Sequence, residues 1–541
     1  MRREQKFWGW GEPGAGPRLP DHAAGLLREW LGVSGAVVSA PVDLRDVRLR
    51  PPVVSAALRA ALERAVGAEH VRDDRSIRVL RAAGRSYLDL LALRTGACED
   101  APDVVVAPSG HEQVAVVLRA CAGFGAAVIP FGGGTSVVGG VAPVRGSWDT
   151  AVCLDLGRLD AVLDVDTRSR IARVGAGVRL PELDHALGAD GLRLGHLPQS
   201  YEWATVGGCA ATRSAGQAST GFGRFDELVA ALRCATPAGD LETLGAPASA
   251  AGPDLRALVL GSEGTLGAIT ELALRLRPVA SERRYEAWQA RSFDAGCEAL
   301  RALAQAGAAP DVVRLSDADE TRTTLALAGE RGLLRRLGEA ALRALRRGDG
   351  CLLIVGWEGG AVSRRRAAAA RALRAGGALP LGRGPGEAWR AARFAAPHLR
   401  DALLDRGVLV ETLETATTWA GLASLHRAVR AALQTALAAT PPVVGCHVSH
   451  VYPDGASLYF TVLARQDAGD PAGQWRSAKR AAGDAIAAAG ATITHHHAVG
   501  RDHAPWLESE HGALGVELLR AAKERCDPAG IMNPGKLLPA G

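Results

Sequence analysis

The sequence predicts an α+β protein in several parts, with a ligand-binding βαβ region in its first half. An apolar run from Ala126 to Ile129 leads directly into a glycine-rich stretch, Pro130 to Gly140. Two further loops rich in glycine and hydroxyl residues follow it along the chain. Beyond Val279, helical segments rich in Ala, Leu and Arg alternate with short apolar strands, which indicates a second α+β unit.

The composition is that of an ordinary globular protein. The 541 residues are 48% hydrophobic and 22% charged, enough for two or three domains with a large core. The net charge of +5 is small for this length, so we expect no nucleic-acid partner. The nine cysteines include no C-x-x-C pair, which argues against a zinc ribbon or disulfide scaffold and indicates a reducing cytoplasm.

Two stretches bear on targeting. The basic start, Met1 to Lys6, is not followed by an apolar segment, so we predict no signal peptide. Ala120 to Val144 is uncharged, but its glycines and prolines exclude a membrane-spanning helix. We therefore expect a cytoplasmic protein.

Residues 1–97 are predicted to form an aromatic and helical N-terminal segment. Phe7 to Gly11 concentrates aromatic residues at the start of the chain. An amphipathic helix is expected from Asp21 to Leu31, with Asp21 as its cap, and another from Leu58 to Val66.

From residue 98 the pattern becomes βαβ. A strand begins at Asp103, and Ser109 is predicted to cap the next helix, with Glu112 completing a capping box. The strand ending at Ile129 and the glycine loop follow. We expect further strands at 151–155 and 171–175, and a short helix at 180–187.

The glycine loop Pro130 to Gly140 has the chemistry of an anion cradle. Glycine allows positive φ and lets a ligand approach without meeting a Cβ. Consecutive amides form a nest for an anion, and Thr135 and Ser136 add hydroxyl donors. The simplest ligand is a phosphate or pyrophosphate. Taken alone, the loop is equally compatible with a mobile glycine-rich surface segment.

The other two loops support the interpretation that the glycine loop binds a ligand. Gly195 to Gly223 is long and aperiodic, as functional loops often are. Gly261 to Thr270 leads into a strand from Glu271. Three such loops predict one large phosphate-bearing ligand held along its length. The Walker lysine is absent, and Gly175-Ala-Gly177 lacks the third glycine of a dinucleotide fingerprint.

Residues 279–541 are predicted as one α+β domain. Its last segment, Asp527 to Lys536, is dense in turn residues. We expect helices at 293–310, 333–347, 361–376 and 421–438, and strands at 351–356, 407–411 and 457–464.

Histidines cluster at His495, His496 and His497. Read as a strand, the triplet would allow only His495 and His497 to share a ligand, because neighbouring side chains point to opposite faces. Helical H-x-x-x-H spacing is missing, so we favour a substrate-facing polar cluster and assign no metal site.

Three other side chains are candidates for the active site. Alternation places Tyr459 on the polar face of its strand, where it is either a general acid or base or a structural tyrosine. Arg314 and Arg400 are surface arginines by default. If buried beside a ligand, either would bind carboxylate or phosphate through its guanidinium fork.

Four segments together resemble a known family. The glycine loop, the Val206-Gly-Gly segment with Thr212-Arg213, and Gly261 to Gly267 are similar to the FAD-binding domain of the vanillyl-alcohol oxidase superfamily. Asp527 to Lys536 resembles the C-terminal signature of its FAD-linked oxidase branch. Within that branch, the aromatic start and the histidine triplet resemble the alkyldihydroxyacetone-phosphate synthases. This implies a two-subdomain FAD-binding domain over 98–278, an α+β cap domain over 279–541 and a helical N-terminal segment.

The resemblance also implies residue roles. Arg314 matches an active-site arginine, Arg400 the arginine that binds the substrate phosphate, and Tyr459 the catalytic tyrosine. The triplet matches the active-site histidines. The implied FAD-binding residues are Pro130, Phe131, Gly132, Gly133, Gly134, Thr135, Ser136, Pro198, Gln199, Ser200, Tyr201, Glu202, Trp203, Ala204, Ala211, Thr212, Arg213, Ser214, Ser262, Glu263, Gly264, Thr265, Leu266, Gly267 and Ala268.

The implied reaction exchanges the fatty acid of acyl-dihydroxyacetone phosphate for a fatty alcohol, with the flavin holding the three-carbon unit and no net redox change. It needs a base, a cation for the phosphate and an apolar channel, which the sequence does not locate. The glycine loop has no histidine, so FAD is expected to be noncovalent. Ala498 replaces the usual glycine, and the peroxisomal presequence of animal members is absent. The family implies a lipid or small-molecule substrate, a homodimer and peripheral membrane contact.

Two other hypotheses about the function are retained. One is a flavin dehydrogenase for a D-2-hydroxy acid such as lactate, glycolate or 2-hydroxyglutarate. Those relatives usually carry Glu-His-Gly where this chain has His496-His497-Ala498, which favours the synthase. The other is a noncatalytic flavin-binding scaffold, which would not need Tyr459 or the two arginines.

Overall fold

Three large β-sheets organise the chain in the computed structural model, which describes residues 4–14, 19–20, 22–327 and 350–538. They have four, five and seven strands, and helices cover them. The α+β prediction is confirmed. None of the described helices is both long and apolar enough to cross a membrane.

The first sheet carries the glycine loop. Its order is β1-β2-β4-β3, with β2, β4 and β3 parallel and β1 antiparallel to β2. These parallel strands are buried, since helices pack against them. The bounds are β1 Val71–Arg72, β2 Val104–Val106, β3 Ala126–Phe131 and β4 Thr150–Asp155.

The helix of this βαβ unit, α5, begins differently from the prediction. It spans His111–Phe124, and its N-cap is Gly110. Ser109 therefore lies one residue too early to cap it, and its hydroxyl bonds the Gln113 side chain at 3.1 Å instead. The capping-box prediction for Ser109 and Glu112 is wrong.

The second sheet is antiparallel, with the order β5-β6-β10-β8-β9. The long loop Gly195 to Gly223 contains two short helices. Thr205 caps the first of them, since its hydroxyl accepts the Gly208 amide. The bounds are β5 Val162–Asp166, β6 Ile171–Gly175, β8 Val229–Thr236, β9 Gly239–Glu242 and β10 Ala268–Arg275, with the small pair β7 Leu192–Arg193 and β11 Arg277–Pro278.

The third sheet holds the candidate catalytic residues. It is antiparallel, in the order β15-β12-β14-β13-β17-β18-β16. The three predicted strands all form, but β16 continues seven residues past the predicted end at 411, reaching Thr418. The bounds are β12 Glu282–Ala290, β13 Val312–Ser316, β14 Cys351–Gly359, β15 Leu379–Gly382, β16 Val408–Thr418, β17 Val443–Val451 and β18 Gly455–Arg465.

Most predicted helices form. The first has His22 as its N-cap, whereas the predicted cap Asp21 lies outside the described residues, as does the predicted helix 333–347. The described helices are α1 Ala23–Leu31, α2 Ala56–Val66, α3 Arg75–Leu80, α4 Tyr87–Thr95, α5 His111–Phe124, α6 Leu180–Gly188, α7 Val206–Ala211, α8 Ser219–Phe222, α9 Phe225–Leu228, α10 Leu255–Val259, α11 Phe293–Gln305, α12 Ala318–Leu327, α13 Val362–Ala375, α14 Arg383–Ala392, α15 Ala396–Leu404, α16 Trp419–Ala436, α17 Pro471–Ala488 and α18 Leu507–Cys526.

Both ends of the chain return to the first sheet. Asn533 donates its backbone N–H to the Val128 carbonyl at 2.8 Å. Near the other end, the Gln5 side-chain amide donates to the Gly133 carbonyl at 3.1 Å. The glycine loop is therefore held by residues from distant parts of the sequence.

Candidate active site and cofactor cradle

The three glycine loops meet at the end of β3. A Cβ on Gly133 would lie 2.1 Å from the Trp203 carbonyl oxygen, and one on Gly132 would lie 2.4 Å from Thr205 Oγ1. A Cβ on Gly264 of the third loop would lie 2.9 Å from the Pro130 ring. These approaches require glycine, since no side chain fits between the loops.

The backbone of the first loop is available to a ligand. Within the described chain, the amides from Gly132 to Ser136 donate to no protein acceptor. Gly134 has φ +66°, which turns the chain so that neighbouring amides converge. This arrangement fits the pyrophosphate of FAD, whose charge would satisfy those amides.

Several predicted cofactor residues use their side chains elsewhere. The Tyr201 hydroxyl donates to Asp184 Oδ2 at 3.0 Å, and Arg213 donates to the Leu260 carbonyl at 2.9 Å. Ser136 Oγ accepts the Gly140 amide at 2.9 Å. Glu202 is exposed. Such positions would contribute to a cofactor site mainly through their backbone.

Glu263 joins the cradle to the C-terminal half. Its carboxylate accepts the amides of Val499 and Gly500, each at 2.8 Å, and burial raises its pKa to about 7. The Asn533 side-chain amide donates to the carbonyls of Glu263 at 2.6 Å and Gly140 at 3.1 Å. The C-terminal signature therefore packs against the cradle and holds two of its glycine loops together.

Tyr459 lies on β18, between β17 and the edge strand β16 of the third sheet. Its partners in the strand ladder are Glu414 on β16 and His447 on β17. The His447 ring lies nearly parallel to it, with centroids 4.9 Å apart. His496 and His497 are 6.1 Å and 5.4 Å away. The structure thus brings the predicted tyrosine and histidines together.

The histidine triplet forms a turn, whose shape is set by hydrogen bonds from its backbone to the Glu414 side chain. The buried carboxylate accepts three consecutive amides, from His495 at 2.6 Å, His496 at 3.0 Å and His497 at 2.8 Å, and the Thr494 hydroxyl at 2.6 Å. An acceptor drawing three successive N–H groups to one point is incompatible with a strand. The strand interpretation of the triplet is therefore wrong.

The predicted pairing of His495 with His497 is also wrong. His495 and His496 have their Nδ1 atoms 3.0 Å apart. With His450 they form a group whose possible ligand atoms lie within 4.8 Å of one another. The Tyr452 hydroxyl lies 2.6 Å from His495 Nε2.

Burial sets the protonation states of the centre. It lowers the pKa of His496 and of His497 to about 4, so both imidazoles are neutral at pH 7. It raises the pKa of Tyr459 to about 12, which keeps the phenol protonated. Burial also opposes ionisation of Glu414, but the electrostatic interaction with His496 and its neighbours and the hydrogen bond from Thr494 outweigh it and hold the pKa of that carboxyl well below its usual range. Neutral imidazoles are available as bases, and the phenol is available as a donor.

Arg400 presents an unused donor edge. Its Nη1 donates to the Arg85 carbonyl at 3.0 Å. Its Nε and Nη2, the two atoms of the guanidinium fork, are buried and bond to no described residue. The residue is only 7% exposed, and its charge acts on both Tyr459 and His497. A buried free fork whose charge acts on the tyrosine is suited to bind a phosphate or carboxylate.

The aromatic N-terminal segment supports the helix that bears Arg400. Asp401, the next residue, accepts the Trp10 amide at 2.8 Å and pairs with Lys6 at 2.8 Å. A Cβ on Gly9 would lie 2.4 Å from this carboxylate. The spacing of small and aromatic residues in the segment therefore reflects its packing on Asp401.

Arg314 is engaged by protein groups. It donates to Glu320 Oε1 at 3.0 Å and lies 3.1 Å from His447 Nε2, while His447 Nδ1 is 2.8 Å from the same carboxylate. Arg314 therefore orients His447 against Tyr459. No motif in the sequence indicated His447, Glu320, His450 or Glu414. Alternation in Val443–Val451 could have indicated the strand, but not its partners.

Two family models match the chain. The FAD binding domain matches residues 102–245, and the C-terminal domain of FAD linked oxidases matches residues 279–537. Together with the cradle, they identify FAD as the cofactor.

Curated relatives extend over nearly the whole chain. The alkyldihydroxyacetonephosphate synthase of Dictyostelium discoideum is 32% identical over 87% of this chain and 79% of its own length. That of Trypanosoma brucei brucei is 30% identical over 99% of this chain and 93% of its own length.

Solved structures agree with the fold. A crystal structure of an alkyldihydroxyacetonephosphate synthase superposes with a TM-score of 0.85, at 27% identity over 98% of both chains. A 4-ethylphenol oxidase from Gulosibacter chungangensis, at 17% identity, has a TM-score of 0.68 over 90% of this chain and 99% of its own, which shows the shared fold alone. The chain belongs to the alkyldihydroxyacetonephosphate synthase family.

Proposed function

We propose that this FAD enzyme exchanges the fatty acyl group of acyl-dihydroxyacetone phosphate for a fatty alcohol and so forms an ether bond. The observation that carries the proposal is the buried free fork of Arg400, whose charge acts on Tyr459 and on the neutral His497. A dianionic phosphate would pair with the fork, while the carbon next to the ketone faces a base. Family membership supports the same reaction.

Each residue has a distinct part. Arg400 binds the phosphate, a neutral imidazole of the triplet takes a proton from C1, and the Tyr459 phenol donates a hydrogen bond to the substrate. Bound FAD supplies temporary attachment of the three-carbon unit without net redox change. The C1–O bond to the fatty acid breaks, and the alcohol oxygen forms the new one. The imidazole returns its proton to C1, and the alcohol proton leaves with the fatty acid.

The second candidate is a D-2-hydroxy-acid dehydrogenase. The same fork would accept a carboxylate, and a neutral histidine would accept the hydroxyl proton. The pairing of His496-His497 with Ala498, in place of Glu-His-Gly, favours the synthase.

Anaerobic mixing separates the two candidates. The synthase is expected to release fatty acid from acyl-dihydroxyacetone phosphate and alcohol, without an electron acceptor and with the flavin oxidised at the end. Two-electron bleaching of the flavin by D-lactate or D-2-hydroxyglutarate, without exchange, would support the dehydrogenase. An Arg400→Gln variant is expected to raise KM for the phosphate substrate while keeping FAD.

We further propose a cytoplasmic homodimer that touches membranes peripherally to collect its lipid substrate. Leu514 and Leu518, 69% and 64% exposed and one turn apart on α18, are an apolar surface suited to either contact. Light scattering tests the dimer, and vesicle flotation tests the membrane contact. We retain 1–97, 98–278 and 279–541 as the proposed domains, which limited proteolysis tests.

A further inference from the structure

A cavity of about 670 Å³ lies beside the glycine loop, next to Gly139. Its walls come from the start of α4, one face of α17 and the segment from Arg501 to Trp506. It contains neither Arg400 nor Tyr459 among its lining residues. The proposed chemistry does not use it.

A buried cation lines this cavity. Lys479 is only 7% exposed, yet its ammonium has no ion pair or hydrogen bond with any described residue. Burial of most of the side chain restricts the hydration of the ammonium, whose charge acts on the Asp502 carboxyl of the same cavity. The position therefore favours an anionic ligand.

Further cations surround the opening. Arg476, Arg480 and Arg501 are exposed and form no ion pair within the described ranges. The carboxylates of the cavity are less available. Asp89 belongs to the capping box of α4, and Asp484 accepts the Trp506 indole N–H at 2.9 Å. The third, Asp502, is half-buried, and desolvation raises its pKa to about 7 against the opposing effect of the Lys479 charge.

The remaining wall is apolar and rigid. Trp475 stacks on Tyr87 with ring centroids 6.3 Å apart, and its indole N–H bonds Glu411. Trp506 is fixed by Asp484. Leu88 completes this side of the cavity. An aliphatic chain would bury its surface here, while its charged end meets Lys479.

We propose that this cavity binds a long-chain carboxylate, with its head at Lys479 and its first methylenes against Trp475 and Trp506. The inference rests on the proposed function, whose reaction releases such an anion. A single ammonium suits a monoanion, whereas a phosphate is better matched by an arginine fork. The cavity would hold the departing fatty acid away from Arg400.

Calorimetric titration of the FAD-loaded protein with decanoate tests the proposal. We expect saturable binding, weakened at least tenfold by Lys479→Met and at least threefold by Arg480→Glu. Arg371→Met, which removes an exposed cation from α13, should leave binding unchanged. Decanol should bind at least tenfold more weakly than decanoate. Flavin absorbance and melting temperature establish that each variant is folded. If Lys479→Met does not fold, the Arg480→Glu variant tests the site in its place.

Other outcomes would overturn it. Unchanged decanoate affinity in both Lys479→Met and Arg480→Glu removes the cavity as the site. Loss of binding in Arg400→Gln alone would place the carboxylate at the catalytic centre. Tighter binding of decyl phosphate than of decanoate would assign the cavity to a phospholipid head. Decanoate binding without ether formation contradicts the proposed function only, and ether formation without decanoate binding contradicts this site only.

Discussion

Replacing Glu414 by Gln tests how the histidine triplet is built. The substitution keeps the size of the side chain and removes its charge. Oε1 accepts three of the four bonds, from Thr494, His496 and His497, while Oε2 accepts the His495 amide. A glutamine oxygen can replace Oε1, but its NH2 group then faces the His495 N–H, and neither can accept.

The magnitude follows from these four bonds. Three charge-assisted bonds become neutral, each losing about 1 kcal/mol, and one buried donor is left unpaired at a cost of about 1–3 kcal/mol. We expect a total loss of about 4–6 kcal/mol in unfolding free energy at pH 7. Turnover per folded enzyme molecule should also fall, because the turn that orients His496 and His497 loosens.

The loss should depend on pH in a defined direction. The pKa of Glu414 is depressed in the folded protein. Its stabilisation is therefore fully present above the unfolded pKa, about 4.3, and is lost as pH falls through the folded pKa. The stability gap between wild type and Glu414→Gln should be constant near neutrality and shrink in acid.

Denaturant unfolding of the FAD-loaded proteins between pH 3 and 8, with turnover assayed at pH 7, measures both effects. Glu242→Gln, on an exposed strand, is the matched control, since its side chain is 73% accessible. A Glu414→Gln protein with wild-type stability and turnover at pH 7 would refute the account of the turn.

Three further predictions concern the centre and the cradle. Tyr459→Phe should retain FAD absorbance while turnover falls about 100-fold, because the phenol donor is lost; full activity would remove Tyr459 from the mechanism. Gly133→Ala should purify colourless, since its Cβ would lie 2.1 Å from the Trp203 carbonyl; normal FAD content would contradict the tight cradle. Prolonged EDTA dialysis should leave activity unchanged, because we assign His450, His495 and His496 no metal, and loss restored by a divalent ion would reverse that assignment.

The cofactor region could be predicted well from the sequence because its signals are local. A buried run followed by glycines determines both β3 and the loop after it. The third loop instead follows the helix α10, and β10 begins at Ala268, three residues before the predicted start at Glu271. Even here the start of α5 was predicted wrongly, because the Ser109 hydroxyl bonds the Gln113 side chain rather than a helix amide.

The catalytic centre could be predicted only in part. Tyr459 follows from strand alternation, and its neighbours Leu458 and Phe460 are fully buried. Glu414, in contrast, lies 81 residues before His495, the first residue of the triplet, and only the strand ladder brings it behind the turn. A short histidine run has no periodicity that distinguishes a turn from a strand, so its geometry depends on this distant carboxylate.

The most direct test of the central claim is ether formation itself. The FAD-loaded protein is incubated anaerobically with acyl-dihydroxyacetone phosphate and deuterated hexadecanol, and the products are measured by mass spectrometry. We predict a deuterated alkyl ether of dihydroxyacetone phosphate and free fatty acid in equal amounts, with the flavin still oxidised. Absence of the ether from active-site-intact, FAD-loaded protein, together with flavin reduction by a D-2-hydroxy acid, would contradict the account.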